Sequence, residues 1–203
     1  MASADRKPGV SGSITDDAGY RRMGDRDVTD GPRTLHRGAF LELVDRDGWE
    51  YVHRFATLGV VVVIAVDHGV LLLVEQFRPA QNAAVLTLPG GLVDAQDAVD
   101  GGDPFTDAAA RELIEETGFG AERLTLLGEG PASPGMTTEH IRFYRADNLH
   151  QIGQALGDGD ERLTVHRVPL AELRRFVAAR QDAGVQIDVK LWAGLFLADL
   201  SEL

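Results

Sequence analysis

The sequence predicts an α/β protein, and three observations carry that expectation. Two β-branched and leucine-rich runs, GVVVVIAV and GVLLLVEQF, meet at the turn Asp67-His68-Gly69. Continuous apolar runs of strand length divided by a turn describe a hairpin whose strands are buried on both faces. Residues 104–117 carry apolar residues at helical spacing between Pro104, suited to a first helical turn, and Gly118, suited to a C-terminal stop. Two further amphipathic stretches, LAELRRFVAARQDAG and DVKLWAGLFLADL, close the chain as helices.

Residues 1–33 are rich in Gly, Asp, Ser and Arg and lack apolar periodicity, so they read as a flexible N-terminal tail. From Leu35 the pattern changes. FLELV and WEYVHRF read as two strands joined by Asp45-Arg46-Asp47-Gly48, a hairpin spanning 34–58. The central hairpin opens the main domain, residues 59–203. VLTLPGG ends a further strand, a Gly/Asp-rich loop leads to the helix over 104–117, and RLTLLGEG, IRFYRAD and RLTVHRV supply later strands. No internal repeat is present.

Net charge −12, from 32 acidic and 20 basic residues, argues against a nucleic-acid or anionic-membrane partner. The chain contains no cysteine, which excludes thiolate catalysis, disulfides and cysteine-built metal sites. Its six histidines are scattered without a His-x-x-x-His pair, which argues against zinc. The run from Gly59 to Val66 is too short to span a bilayer, and the first residues lack a signal-peptide core, so a cytoplasmic protein is expected.

The stretch RELIEETG, residues 111–118, crowds three glutamates into one region of a helix. Glu112 and Glu116 lie one turn apart on the same face with Glu115 beside them. Like charges at this spacing cost about 0.2–0.5 kcal/mol per pair, so a positive partner is required. Arg111, four residues before Glu115, is placed to hold that carboxylate and leave the others free. An oxygen-rich patch of this kind suits a hard divalent cation, Mg²⁺ or Mn²⁺. Taken alone it would equally suit a solvated acidic face.

The longer segment from Leu88 to Phe119, LPGGLVD…GGDPFTDAAARELIEETGF, resembles the Nudix box: Gly, five residues, Glu, seven residues, then R-E-U-x-E-E-x-G-U with U apolar. Arg111, Glu112, Leu113, Glu115, Glu116, Gly118 and Phe119 match its second half. The first half departs from the pattern. Counting back from Arg111 places Asp103 where the box has Glu, and the distance from Gly91 is then six residues too long, as if Ala95 to Asp100 were inserted. The resemblance implies an α/β/α sandwich around a mixed sheet, preceded here by the N-terminal strands. It also implies that Glu112, Glu115 and Glu116 hold divalent metal with the main-chain carbonyl of Gly90, and that Arg111 and Glu112 take part in catalysis.

Ser133-Pro134-Gly135, with Thr138 and Glu139 just beyond, is similar to the S-P-G-x-(S/T)-(S/T)-E segment of the ADP-ribose pyrophosphatases within that family. The bland alternative is an ordinary Ser-Pro-Gly turn. VEQFRP resembles the strand end whose arginine, here Arg78, reaches substrate. GDGDERLTVHRV resembles the acidic loop that carries a water-activating glutamate, here Glu161, with Asp158 and Asp160 as competitors. The resemblance thus implies a hydrolase of ADP-ribose or a related nucleoside diphosphate sugar, with GDP-mannose and a non-catalytic ADP-ribose sensor as alternatives. It also implies a homodimer paired through residues 34–58. Phe40, Trp49 and Phe77 are candidates to hold the base, each otherwise expected in the core.

Overall fold

The computed structural model describes residues 31–97, 101–155 and 163–200. A three-stranded antiparallel sheet, β1(Arg33–Arg37), β2(Leu41–Arg46) and β3(Trp49–Arg54), opens the described chain. The expected two-strand hairpin is therefore one strand short. RTLHR has no apolar alternation, and its five residues are all exposed, so only backbone pairing with β2 defines it. The strand begins at Arg33, the last residue assigned to the tail, while residues 1–30 lie outside the described residues.

The main sheet follows the order β11-β6-β5-β4-β9-β8, with β10 added on β5 and β7 on β4. Its centre is the expected hairpin, β4(Gly59–Asp67) and β5(Val70–Arg78), joined through His68 and Gly69. β6(Ala83–Thr87) continues antiparallel to β5, and β7(Leu92–Val93) is a two-residue strand against β4. β8(Phe119–Pro131) and β9(His140–Gln151) form a long antiparallel pair, β9 runs parallel to β4, and β10(Leu163–Pro169) runs antiparallel to β5. β11(Gln186–Ile187) adds a parallel edge to β6, so the sheet is mixed. Strands as short as β7 and β11 carry no period-2 signal and were invisible to sequence reading.

Helices cover both faces. α1(Pro104–Thr117) buries Ala108, Ala109 and Leu113 with Val61, Val63, Ala65 and Leu72 of the sheet. α2(Leu173–Asp182) and α3(Val189–Leu197) bury Leu173, Val177, Leu191 and Leu195 on the opposite face, against Val62, Ile64, Leu71 and Leu73. Alternate residues of β4 and β5 thus feed two separate cores, which is why those runs are apolar throughout. Among the described residues no helix is long and apolar enough to cross a membrane.

The ends of α1 are set by chemistry legible in the sequence. Asp103 caps the N-terminus by accepting from the Thr106 N–H, and Pro104 takes the first turn. Gly118 ends the helix in the left-handed region at φ 76°, donating its N–H to Ile114 O. A Cβ at Gly118 would also stand 2.6 Å from Gly153 O. Gly118→Ala should therefore destabilise the fold by more than about 1 kcal/mol, read by thermal or urea unfolding. An unchanged midpoint would show that this helix end is not held as described.

Candidate active site

The site forms where the apolar stripe of α1 runs out into carboxylates. Glu116 continues the line of Ala109 and Leu113, and it is only 6% exposed. Its Oε2 accepts from the Gly90 N–H at 2.8 Å. Glu112 lies against the neighbouring glycine: a Cβ on Gly91 would stand 2.2 Å from Glu112 Oε1. A Cβ on Gly90 would stand 2.1 Å from Val61 O. Only glycine lets the Leu-Pro-Gly-Gly turn pass between β4 and the helix carboxylates, which is the physical content of that motif.

The positive partner demanded by three glutamates is Arg111, and it does more than hold Glu115. Its Nη1 donates to Glu112 Oε1 at 2.8 Å and to Glu115 Oε2 at 3.0 Å. Nε and Nη2 donate to Asp97 at 2.8 and 3.2 Å, and Nη2 also reaches Leu92 O at 3.0 Å. Glu112 is therefore engaged rather than left free. Asp97, 8% exposed, also accepts from the Asp94 N–H at 2.6 Å. Arg111 holds the Asp97 carboxyl below the ordinary range, against burial, and the same bond keeps the guanidinium charged.

This geometry corrects the alignment of the box. Counting forward from Gly91 rather than back from Arg111 reaches Asp97, and Asp97 is the carboxylate that grips Arg111. The six extra residues then fall at 98–103, between Asp97 and the helix. Asp103 has another job. Its Oδ2 accepts from the Thr106 N–H and hydroxyl and from the Tyr144 hydroxyl, and its Oδ1 faces Arg142. The sequence held the signal, but spacing alone left both ends of the count open.

The donor set fits a hard divalent cation. Burial pushes the Glu112 carboxyl above its ordinary range, opposed by Arg111 and reinforced by Glu115. Glu112 and Glu116 both abut the Gly90-Gly91 turn, so one buried and one largely buried carboxylate meet beside a third, more exposed one. Oxygen donors with surplus negative charge are what Mg²⁺ or Mn²⁺ requires. Among the described residues no three acidic or histidine side chains already stand at metal-holding separation. Arg111 takes up the charge of Glu112 and Glu115 instead.

Of the substrate residues named from the sequence, Ser133, Pro134, Gly135 and Glu139 share one loop at the same end of the sheet as the glycine turn. The 132–139 loop precedes β9 and lies along β3: Val52 N–H donates to Met136 O, and Thr138 N–H donates to Val52 O. Trp49 Nε1 donates to Gly135 O at 3.2 Å. Ser133 O accepts from the N–H groups of Met136 and Thr137, fixing the turn around Pro134. Glu139 is paired with Arg54 Nε at 2.7 Å. A cavity of about 370 Å³ opens here, lined by Arg46, Trp49, Tyr51, Pro134, Thr137 and Thr138. None of the three candidate aromatics is in the core: Phe40, Trp49 and Phe77 are all exposed, because the first two ride on the outlying sheet and Phe77 lies near the end of β5. Arg78 is exposed one residue further on. Glu161, Asp158 and Asp160 lie outside the described residues.

Asp97→Ala should cost about 2 kcal/mol at neutral pH, between the values for surface and fully buried ion pairs because Arg111 is partly exposed. The folded Asp97 titrates below its ordinary value of 3.8. Its contribution is thus complete above that value and lost as pH falls through the folded pKa. Unfolding curves of the two proteins should differ at pH 7 and converge in strong acid; a gap that persists there would show that packing, not charge, is what the substitution removes.

A family model for the NUDIX domain matches residues 56–187. An ADP-ribose pyrophosphatase of Mycobacterium tuberculosis is 33% identical over 152 residues, covering 71% of each chain. One of Bacillus subtilis is 31% identical over 125 residues, covering 61% of this chain and 64% of its own. The crystal structure of an ADP compounds hydrolase superposes with a TM-score of 0.64 at 23% identity, over 83% of this chain and 90% of that one, a likeness of fold. The family match spans most of the chain and contains the glycine turn, Asp97, Arg111 and the three glutamates, and this chain belongs to the NUDIX domain family.

Proposed function

We propose that the protein hydrolyses the diphosphate of ADP-ribose, or of a related nucleoside diphosphate sugar, to a nucleoside monophosphate and a sugar phosphate, using Mg²⁺ or Mn²⁺. The observation that carries this reading is the pair of carboxylates, buried Glu116 and largely buried Glu112, set against the Gly90-Gly91 turn with Glu115 alongside. When bound there, a divalent cation supplies neutralisation of the diphosphate and a water acidic enough to attack phosphorus. Glu112, Glu115, Glu116 and the Gly90 carbonyl would hold it. Arg111, fixed by Asp97, keeps Glu112 and Glu115 in place.

The assignment to ADP-ribose draws on the Ser133-Pro134-Gly135 segment and on the names of the relatives. The aromatic cavity supports it, since Trp49 and Tyr51 offer faces on which a base can stack beside Pro134. Arg78 is the candidate for holding a phosphate oxygen, and Glu161 is the candidate general base. A non-catalytic sensor would have no need of all three glutamates. The test is a panel of nucleoside diphosphate sugars assayed for phosphate release with a coupled phosphatase, with and without Mg²⁺. ADP-ribose should be cleaved only with metal, and Glu116→Gln should lower kcat/KM on the order of 100-fold or more, about 2.7 kcal/mol of barrier. Preference for GDP-mannose would remove the ADP-ribose assignment and leave the metal site standing.

The protein is further proposed to act as a homodimer. The β1-β2-β3 sheet buries Val44 alone among its large apolar residues, while Leu35, Leu41 and Trp49 and the adjoining Phe40 are exposed. A small sheet of this kind lacks the covered apolar face that gives independent stability, and a second copy would provide it. Light scattering should return twice the 21.9 kDa chain mass, and Leu41→Asp with Phe40→Asp should shift it toward the monomer. A monomeric wild-type protein would end this proposal.

A further inference from the structure

Among the described residues other than glycine, those at positive φ are Asp47, His68, Asn82, Asn148, Asp199 and Ala56. Asp, Asn and His tolerate the left-handed region, so Ala56 at φ 62° is the exception. An alanine persists in that conformation only where the chain on either side is held. Ala56 lies in the connector 55–58 that joins β3 of the outlying sheet to β4 of the main one.

On the β3 side the hold is the pairing of Arg54 with Glu139. On the β4 side it is Thr57. The Thr57 hydroxyl donates to the Val93 carbonyl at 2.8 Å and accepts from the Gly59 N–H at 3.3 Å. The Leu58 N–H donates to the same Val93 carbonyl at 2.7 Å, which engages both of its lone pairs. Val93 belongs to the two-residue strand β7, and its neighbour Leu92 supplies the carbonyl that accepts from Arg111 Nη2 at 3.0 Å. Asp94 opens the turn that carries Asp97 to the same guanidinium. The connector therefore anchors the short segment from which Arg111 is gripped, and Arg111 holds Glu112 and Glu115.

Resting on the function proposed above, we infer that Thr57 is a positioning residue: its hydroxyl anchors β7 and, through the Leu92 carbonyl and Asp97, holds Arg111 and the helix carboxylates in working geometry. The residue type suits the place, because a hydroxyl donates and accepts at once and so joins the Val93 carbonyl to the Gly59 amide. A movement of β7 would carry the Leu92 carbonyl with it and loosen one edge of Arg111. A misplacement of about 1 Å in a catalytic array can cost on the order of 100-fold in rate.

The test compares wild type with Thr57→Val, which keeps the shape and removes the hydroxyl, and with Thr57→Ser, which keeps the hydroxyl. Two quantities are read. One is kcat and KM for ADP-ribose with Mg²⁺. The other is the rate at which the Arg111 Nε–H exchanges with water, followed by NMR without metal or substrate and assigned by the loss of the signal in Arg111→Lys. Thr57→Val should lower kcat about fivefold or more with KM within about twofold of wild type. Its Arg111 Nε–H should exchange about fivefold faster or more, and Thr57→Ser should match wild type in both readings. An Arg111 Nε–H as protected in Thr57→Val as in wild type overturns the inference, as does wild-type kcat in that variant or an equal loss in Thr57→Ser. If the wild-type protein leaves ADP-ribose uncut, the proposed substrate fails, while the exchange comparison still decides the role of Thr57. If Thr57→Val yields no folded protein, Thr57→Ala is judged by the same two readings.

Discussion

Asp97 gripping Arg111 is the interaction on which the site depends. Three glutamates on little more than one turn of α1 repel one another, and Glu116 is also buried and Glu112 largely so, which penalises their charge twice. Arg111 offsets that cost because one guanidinium reaches Glu112 and Glu115 through a single nitrogen. It can do so only if its other edge is fixed. Asp97 and the Leu92 carbonyl fix it, and both belong to the segment that follows the glycine turn. Helix and turn are thus locked by the same residue that balances the charge.

The rest of the fold serves that arrangement. The β4–β5 hairpin is buried on both faces, so it presents one rigid surface to α1 and another to α2 and α3. The glycine turn is pinned to β4 through the N–H groups of Val61 and Val63. β9 runs parallel to β4 and carries the 132–139 loop to the same end of the sheet. The glycine turn and the 132–139 loop therefore both lie at the amino-terminal end of the parallel β4–β9 pair.

Much of this was legible in the chain. The apolar runs of β4 and β5, the Pro104 start of α1 and its Gly118 stop follow from local rules, and the structure keeps them. The RELIEETG stretch likewise declared a carboxylate cluster in need of a positive partner. What the sequence could not show was set by distance along the chain. Whether Asp97 or Asp103 meets Arg111 depends on how a lengthened loop folds back, and spacing allowed either count. Strand β1 has no apolar pattern and exists through pairing with β2. Phe40 and Trp49 looked like core residues because hydrophobicity is read without knowing that the first sheet adds no residue to the main core, and Phe77 because its place near the end of β5 shows only in the fold.

The central claim is that the glutamates of α1 hold a divalent cation for work on a diphosphate. Titration of Mn²⁺ into the protein, followed by the loss of the free-ion paramagnetic resonance signal, tests it without reference to turnover. Saturable binding that is strengthened by a non-hydrolysable diphosphate and lost in Glu112→Gln with Glu116→Gln is the predicted result. Binding that is absent, or unchanged when both glutamates are replaced, would contradict it.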